Sequence, residues 1–370
     1  MRSPRVSGLR GKGLLVAALA SIAIVVSAVI IRTEEQSPPL RFPAADYRGY
    51  PDVPLAGLLV GTNYTHYAFP NCSWNGTNIL RTYARDAVRR RVHVQLRTMR
   101  RRGIESLRLV VWHITDPRPN RWGPVPSAGG RISDPYRTNL IEYLQEVRRF
   151  GFGRLTVSFG PQWTNNPLAD NYDGSKFSEN WRFVKDVRSL VKRYGPRDTR
   201  IDLFNEGAPS DYLKPRLFHR MNDYVSSMYA RYVRAFGSDD VTVSVIGPEN
   251  RFDRGNRLQN LIDSIRSTGL PQPRWFEIHL NDAPADALQG LRSTDQVLRR
   301  NGLDQPIVIG ETFYDDPSLA RAFREFFRSS RRVEEIIQWF RRRSSSCNLS
   351  PPYAADAYLP LSRVTRKPLR

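Results

Sequence analysis

The sequence is poor in the residues that bind structural zinc or build disulfide frameworks. Its 370 residues include only two cysteines and five histidines, which excludes a zinc-finger array and a disulfide-dense small domain. Acidic residues are also scarce, because 57 lysines and arginines face 36 aspartates and glutamates, for a formal net charge of +21. This excess favours an anionic partner, although a basic surface that is simply solvated is the alternative.

Repeats and low-complexity tracts are missing as well. No self-similarity with a period of about 20 to 50 residues is present, which excludes solenoids and propellers. Aromatic residues make up 11% of the chain and hydrophobic residues 40%, so the chain can bury a sizeable core and is not intrinsically disordered. The length fits one large domain or two small ones.

The N-terminal region contains 19 consecutive uncharged residues, Gly13 to Ile31. As a helix this run would be ~28 Å long, which is enough to cross a bilayer. A signal-peptide apolar region is usually shorter, about 7–15 residues. The run therefore predicts an uncleaved transmembrane anchor at residues 13–31, with a cleaved signal as the alternative.

The charges on either side of this anchor predict its orientation in the membrane. The basic tail, residues 1–12, precedes it and is expected to stay in the cytoplasm. We expect a single-pass protein of the cell membrane whose linker (32–54), main domain (55–345) and basic extension (346–370) lie outside, or a secreted protein if the signal is cleaved. Export argues against a nucleic-acid partner and leaves the membrane, through residues 13–31, and an anionic polymer.

Short apolar or β-branched runs alternate with amphipathic segments from about residue 55 onward. Strand–helix alternation predicts parallel strands with crossover helices, and eight units in ~300 residues fit a (β/α)8 TIM barrel. A doubly wound open sheet is the rival, but no Gly-x-Gly-x-x-Gly follows the first run. The eight runs are Gly57–Gly61, Leu107–Trp112, Leu155–Phe159, Ile201–Asn205, Val241–Ile246, Trp275–Leu280, Ile307–Glu311 and Glu335–Phe340.

Three helices have clear sequence boundaries. Apolar residues at helical spacing end at Gly195 in one segment and at Gly237 in another, where glycine is a common stop. A third segment opens with Asp316 as N-cap and Pro317 at the first helical position.

Two carboxylates stand where a barrel places its active site. Active sites of this fold lie at the carboxyl ends of the strands. The fourth predicted strand ends in Asn205-Glu206 and the seventh in Gly310-Glu311. A charged group at the end of an apolar strand is costly unless it is paired or used. Paired carboxylates suit glycoside hydrolysis, in which one protonates the leaving oxygen and the other attacks the anomeric carbon.

Asn205-Glu206 and Glu311, in a chain of eight such units, resemble glycoside hydrolase clan A, the retaining (β/α)8-barrel glycosidases, with similarity to families 5 and 39. The resemblance covers roughly residues 55 to 345. It implies Glu206 as acid/base, Glu311 as nucleophile and Asn205 as a hydrogen-bond partner of the substrate 2-hydroxyl. The clan often has Asn-Glu-Pro where this chain has Gly207. The alternative is that both glutamates are salt-bridged rim residues.

The resemblance also implies substrate-binding residues. Arg108 in the second strand would pair with the nucleophile, with a surface arginine at the start of a strand as the alternative. Trp339 after the eighth strand would lie under the sugar. His279, Trp163 and Asn63 follow the sixth, third and first strands and would line the cleft, although a hydrogen-bonded core role is the alternative for His279. No cofactor is expected, and the five histidines show no metal-ligand spacing.

One position departs from the clan's pattern. Related enzymes often show His-x-Tyr after the sixth strand, where this chain reads His279-Leu280-Asn281. Tyr64 or Tyr314 is the candidate to replace the missing tyrosine as partner of the nucleophile. Further candidates for the subsites are Trp112, His113, Gln162 and His66.

The two cysteines are predicted to form a disulfide. Cys72 follows the first strand and Cys347 the eighth, and these strands are neighbours where a barrel closes. An exported domain meets an oxidising compartment, which favours a bridge. Two separate buried thiols are the alternative.

Together these features predict a membrane-anchored, exported, retaining β-glycoside hydrolase that acts on a polysaccharide. Two alternatives stay open. One is a non-catalytic carbohydrate-binding barrel, and the other is a structural envelope protein that binds acidic polymer through its basic surface.

Overall fold

The computed structural model describes residues 58–68, 73, 76–115, 123–247, 256–281, 284–313, 317–330 and 332–339. The predicted anchor at residues 13–31 and both cysteines, Cys72 and Cys347, lie outside these ranges. Among the described helices, none combines the length and apolarity that crossing a membrane requires.

Ten parallel strand segments form one sheet. Most are buried along their whole length, as expected for a parallel sheet covered by helices on its outer face. Their bounds are β1 Leu59–Asn63, β2 Ser106–Ile114, β3 Val125–Pro126, β4 Arg154–Pro161, β5 Asp198–Asp202, β6 Val241–Thr242, β7 Val245–Ile246, β8 Phe276–Leu280, β9 Ile307–Thr312 and β10 Val333–Gln338.

The sheet closes on itself as the sequence predicted. Hydrogen-bonded neighbours follow the order β6-β5-β4-β2-β1-β10-β9-β8-β7, with β3 an extra segment beside β2. The first and last strands pair in register, with Leu59 opposite Glu335. β6 and β7 are two halves of a single strand, so the ring contains eight strands and is a (β/α)8 barrel.

The fifth predicted strand, Val241–Ile246, is interrupted in the structure. Thr242 pairs with β5 and Val245 with β8, while the backbone N–H of Ser244 donates to Asp202 Oδ1 at 2.9 Å. A side-chain carboxylate thus replaces a ladder bond at this point, and the interruption lies beside the carboxyl end of β5.

Helices cover the outside of the barrel. Their buried faces pack on the strands in one large apolar cluster. The helices are α1 Ile79–Thr82, α2 Asp86–Arg101, α3 Tyr136–Arg149, α4 Gly174–Tyr194, α5 Pro215–Phe236, α6 Asn256–Arg266, α7 Pro284–Arg300 and α8 Pro317–Ser329.

Local chemistry explains where these helices begin and end. The Asp173 carboxylate accepts hydrogen bonds from the backbone of Ser175 and Lys176 and so caps α4. Gly195 and Gly237 end α4 and α5, and Pro317 opens α8, which confirms the sequence predictions at these three boundaries. Asp316, the predicted N-cap of α8, lies outside the described residues.

An ion cluster closes the amino-terminal base of the barrel. Arg154 Nη1 lies 2.9 Å from Glu335 Oε2, and Arg200 forms a close ion pair with Glu334. The Arg200 guanidinium also lies over the Trp275 ring, 4.2 Å from its centroid. We call these five residues the base cluster.

Candidate active site

A buried arginine organises the carboxyl-terminal mouth of the barrel. Arg108 lies in β2 and is 0% exposed. Its Nε donates to Glu277 at 2.6 Å and its Nη1 to Glu311 at 2.8 Å. Its Nη2 donates to Asp202 at 3.1 Å and to Asn205 at 2.7 Å. One guanidinium thus holds four side chains from three other regions of the chain.

Arg108 stays charged despite its burial. Burial alone would lower the pKa of the guanidinium, but the charges of Glu277, Glu311 and Asp202 outweigh it and raise that pKa. A buried cation of this kind is stable only with several partners, since one unpaired buried charge costs several kcal/mol. The sequence alternative of a surface arginine is therefore wrong for Arg108.

Glu311, in β9, is fixed on three sides. Its Oε1 accepts from Arg108, while its Oε2 accepts from Trp339 Nε1 at 2.9 Å and from Asn281 Nδ2 at 3.5 Å. Its side chain is 8% exposed. These three donors fix the orientation of the Glu311 carboxylate.

Glu206 follows β5 in an unusual backbone conformation. Its φ of 58° lies in the left-handed region, which a residue with a side chain seldom adopts without support. Its backbone N–H donates to Ser244 Oγ at 2.8 Å, in the interruption of the fifth strand. The side chain is 31% exposed, so Glu206 is the open member of the pair.

His279 lies between the two glutamates. Its Nδ1 is 3.0 Å from Glu206 Oε1 and 3.6 Å from Glu311 Oε2, and its Nε2 is 3.4 Å from Glu277 Oε1. Burial lowers the pKa of the imidazole, but the Glu311 charge and the hydrogen bonds to Glu206 and Glu277 outweigh it and raise that pKa to about 10. His279 is therefore an imidazolium at neutral pH.

The charge of His279 also affects the pKa of Glu206. Burial by itself raises the pKa of the Glu206 carboxyl, but the hydrogen bond and charge of His279 outweigh it, so the pKa lies below its ordinary value. In the absence of a ligand the shared proton thus resides on His279 and not on Glu206.

The two glutamates approach each other closely. One carboxylate oxygen of Glu206, one of Glu311 and a ring nitrogen of His279 all lie within 4.8 Å of one another. Retaining glycosidases place their two carboxyl groups about 5–5.5 Å apart, and inverting enzymes about 6.5–9.5 Å apart. A bound of 4.8 Å between one oxygen of each carboxylate is closer to the first spacing than to the second.

Within the described ranges, these three side chains form the group whose residue types could hold a metal ion. His279 Nδ1 already bonds to Glu206, and Glu311 bonds to Arg108 and Trp339. A metal ion would require neutral His279 and would compete with the Arg108 guanidinium. We interpret the group as a hydrogen-bonded carboxylate pair bridged by an imidazolium.

Gly310 allows one of the buried contacts of the cluster. A Cβ at this position would lie 2.2 Å from Glu277 Oε1. Glycine next to Glu311 thus lets the Glu277 carboxylate approach the strand and reach Arg108. Larger side chains at position 310 would push Glu277 away from the guanidinium.

The structure brings together most of the site residues that the sequence predicted. The amide of Asn63 accepts from Arg108 at 3.3 Å and donates to Gly310 O at 3.0 Å. Asn63 therefore joins the cluster and does not line an outer subsite. Within the cluster lie Glu206, Glu311, Asn205, Arg108, His279, Trp339 and Asn63.

Other predicted residues lie elsewhere. Tyr64 is fully buried and its hydroxyl donates to Gln95 at 2.6 Å, in α2, so it is not a partner of the nucleophile. Trp339 and Asn281 occupy that place instead, and Tyr314 is outside the described residues. His113 bonds to Asn180 at 3.1 Å and is a core residue.

Trp163 has a different position from the other predicted residues. It opens a short 3₁₀ turn after β4 with a φ of 45° and is 44% exposed. It makes no hydrogen bond to the cluster within the described chain, and its ring is open to a ligand.

Four residues of the site escaped the sequence reasoning. Glu277 precedes His279 by two positions in β8, and alternation along a strand puts both on the inner face. Asp202 accepts from Ser158 Oγ at 2.5 Å and from Ser244 Oγ at 2.7 Å. The available signal was a charge inside a buried strand, which occurs at both Glu277 and Asp202.

Sequence comparison gives no relatives: no family model matches the chain, and no curated protein is similar to it. Solved structures do share its fold. The exo-beta-1,4-mannosidase Op5Man5 from Opitutaceae bacterium strain TAV5 has a TM-score of 0.51 at 12% identity, over 76% of this chain and 52% of its own. The chain thus spans about half of the mannosidase.

This chain covers almost the full length of two other solved structures. TsXylA, an intracellular xylanase from Thermoanaerobacterium saccharolyticum, has a TM-score of 0.50 at 11% identity, over 84% of this chain and 99% of its own. Fpglu1 from Fervidobacterium pennivoraus has a TM-score of 0.52 at 8% identity, over 86% and 97%. At these identities the comparisons establish the fold alone, a barrel of parallel strands and helices.

Proposed function

We propose that this protein is a retaining β-glycoside hydrolase, with Glu311 as nucleophile and Glu206 as acid/base. One observation carries the proposal: two carboxylates from opposite sides of the barrel mouth lie within 4.8 Å of each other in unlike environments. Unlike environments are what separate the acid from the nucleophile in a carboxylate pair.

Glu311 suits the nucleophile because three donors hold its carboxylate in place. Arg108 donates to one of its oxygens, and Trp339 and Asn281 donate to the other. The carboxylate is thus held in one orientation with its charge compensated. Attack on the anomeric carbon would form a glycosyl-enzyme intermediate, which water then hydrolyses.

Glu206 suits the acid/base because it is the more open carboxylate and has a proton donor beside it. The 3.0 Å contact with His279 offers a route for a proton from the imidazolium to Glu206. Once the substrate oxygen lies against Glu206, that proton would pass through the carboxyl to the leaving group. In the second step Glu206 would take a proton from the attacking water.

Neighbouring polar and aromatic groups suit a sugar ligand. Asn205 uses its amide oxygen to accept from Arg108, which leaves its amide nitrogen to donate to a sugar hydroxyl. The exposed ring of Trp163 could stack on the apolar face of a sugar ring. These contacts would orient the glycan across the mouth of the barrel.

The substrate we propose is a β-linked polysaccharide. The mannosidase and the xylanase named above act, by their names, on β-1,4-mannosides and on xylan. Their shared fold supports a glycan for this chain without assigning its sugar. We also propose that the enzyme is exported and anchored by residues 13–31, with the disulfide between Cys72 and Cys347 and without a cofactor.

Product stereochemistry tests the proposal. Purified protein would be incubated with aryl β-glycosides, among them mannosides and xylosides, and with mannan and xylan, and the first-formed anomer followed by NMR. We expect the β-anomer first. Release of the α-anomer first would indicate inversion and refute the mechanism. Binding without hydrolysis by the wild type would favour the non-catalytic carbohydrate-binding barrel.

A further inference from the structure

One helix on the outer wall of the barrel is far more basic than the rest of the fold. Between positions 85 and 102 the sequence contains eight arginines and one aspartate. Most of this stretch forms α2, Asp86–Arg101. The proposed catalytic residues lie on other elements, so the mechanism does not account for this charge.

The buried side of α2 explains its apolar residues but not its arginines. Val88, Val92, Leu96 and Met99 are buried against the barrel. The opposite side is exposed and includes Arg90, Val94, Arg97 and Arg101. We call these four residues the α2 face. The spacing of seven and four residues puts its arginines in one row, about 10 and 6 Å apart along the helix axis.

Within the described part of the chain, no carboxylate neutralises the arginines of the α2 face, although Arg97 contacts the His93 ring. Neighbouring Arg89 pairs with Glu142 at 2.9 Å, but no carboxylate of the described residues lies within 4.0 Å of Arg90, Arg97 or Arg101. Helix α7 provides a contrast. There Arg292 lies 2.6 Å from Glu325 and Arg299 lies 2.8 Å from Asp295.

We propose that the α2 face binds an acidic polysaccharide. A row of guanidiniums matches carboxylates repeated along a polymer, because guanidinium and carboxylate form paired hydrogen bonds. The choice of a glycan rests on the proposed function. Val94, 57% exposed, is the single large apolar residue of the face, whereas a helix that enters a lipid surface needs a broad apolar face.

A binding measurement tests this site separately from catalysis. The Glu311→Gln variant serves as the parent, so that the polymer is not degraded. Arg90→Gln, Arg97→Gln and Arg101→Gln are combined in one variant. The matched control combines Arg292→Gln, Arg299→Gln and Arg300→Gln on α7, with the same change in net charge. Affinity electrophoresis in polygalacturonate gives the dissociation constants, with neutral mannan for comparison.

We expect the α2 variant to bind polygalacturonate at least about tenfold more weakly than the parent, while the α7 variant changes by less than about twofold. Added salt should weaken the parent's binding more steeply than that of the α2 variant. Circular dichroism would verify that all variants fold.

Three results would overturn the inference. Equal weakening by both variants would show that only net charge matters. A parent that does not bind polygalacturonate would exclude the site. Stronger α2-dependent binding to phosphatidylserine vesicles than to the polymer would assign the face to a membrane. If the wild type hydrolyses aryl glycosides but binding does not depend on α2, only the binding site is refuted. If binding depends on α2 but the wild type does not hydrolyse glycosides, only the proposed enzymatic function is refuted.

Discussion

The mouth and the base of this barrel both contain buried arginines bonded to carboxylates, yet they differ in chemistry. At the base, Arg154 and Arg200 face Glu334 and Glu335, and Trp275 covers Arg200. Two cations there meet three acids, because Arg154 Nε also lies 2.7 Å from Asp198 Oδ2. At the mouth, Arg108 alone contacts three carboxylates, and a charged histidine joins them.

The comparison shows that a buried ion pair in a barrel is not by itself evidence of an active site. An open carboxylate does not distinguish the mouth, because Glu334 at the base is 30% exposed and Glu206 is 31% exposed. What distinguishes the mouth is His279, a titratable group that lies between Glu206 and Glu311. Guanidiniums at the base hold their protons throughout the physiological range.

The largest expected effect separates the two regions by function. Glu311→Gln should lower kcat by roughly 10⁴-fold or more, because it removes the nucleophile. Glu335→Ala should leave the kcat of folded protein within about twofold, and should lower the free energy of unfolding by about 1.5–3 kcal/mol because Arg154 loses one charged hydrogen-bond partner and keeps Asp198. Initial rates on aryl β-glycosides and urea unfolding give the two quantities.

Near-normal activity in Glu311→Gln would remove the nucleophile assignment. A loss of kcat in Glu335→Ala at full folding would show that the base also supports the chemistry. Either result would end the division between a reactive mouth and a structural base.

The sequence predicted the barrel well because its signals are local and repeated. Each strand is an apolar run, and the stops at Gly195 and Gly237 mark helix ends. The sequence could place Glu206 and Glu311 together at the mouth because both lie at strand ends. The partners of Arg108 were harder to predict, because its bonds to Glu277 and Asp202 join residues 169 and 94 positions apart in the sequence. Those contacts depend on barrel closure and register, which periodicity alone does not give.

Glu206→Ala should have a smaller effect that depends on the leaving group. Without the acid, substrates with poor leaving groups should react about 10²–10⁴-fold more slowly, while dinitrophenyl glycosides, which need no proton, should be cleaved at nearly the normal rate in the first step. The measurement is kcat/KM across aryl glycosides of different leaving-group pKa. An equal loss for all leaving groups would contradict the acid role.

Alkaline pH should weaken the mouth and spare the base. The pKa of His279 is raised to about 10 in the folded protein, against about 6.5 in an unfolded chain. Its charged form therefore stabilises the fold fully below about pH 6.5, and this stabilisation is lost as the pH rises through 10. Unfolding free energies between pH 6.5 and 10 should fall for the wild type.

The His279→Asn variant is the control for this pH dependence. It lacks the titrating ring, so its stability should change less over the same range, although its absolute stability is lower. The base cluster contains no histidine among its five residues, so Glu335→Ala should keep the wild-type slope. An unchanged slope in His279→Asn would show that another group titrates.

The smallest expected effect compares one indole in each region. Trp339 Nε1 donates to Glu311 at 2.9 Å, whereas Trp275 Nε1 is buried without a hydrogen-bond partner within the described chain. Trp339→Phe keeps an aromatic ring but removes the donor, and a hydrogen bond to a charged group contributes about 1.5–3 kcal/mol. If the transition state loses the lower of these two values, kcat/KM should fall about tenfold. Trp275→Phe loses no hydrogen bond, so its kcat/KM should stay within about twofold, and its effect should be confined to packing under Arg200.

Kinetics of both variants, with thermal unfolding beside them, test the contrast. Equal kinetic losses in the two variants would show that the indole of Trp339 contributes its bulk and not its hydrogen bond to the nucleophile.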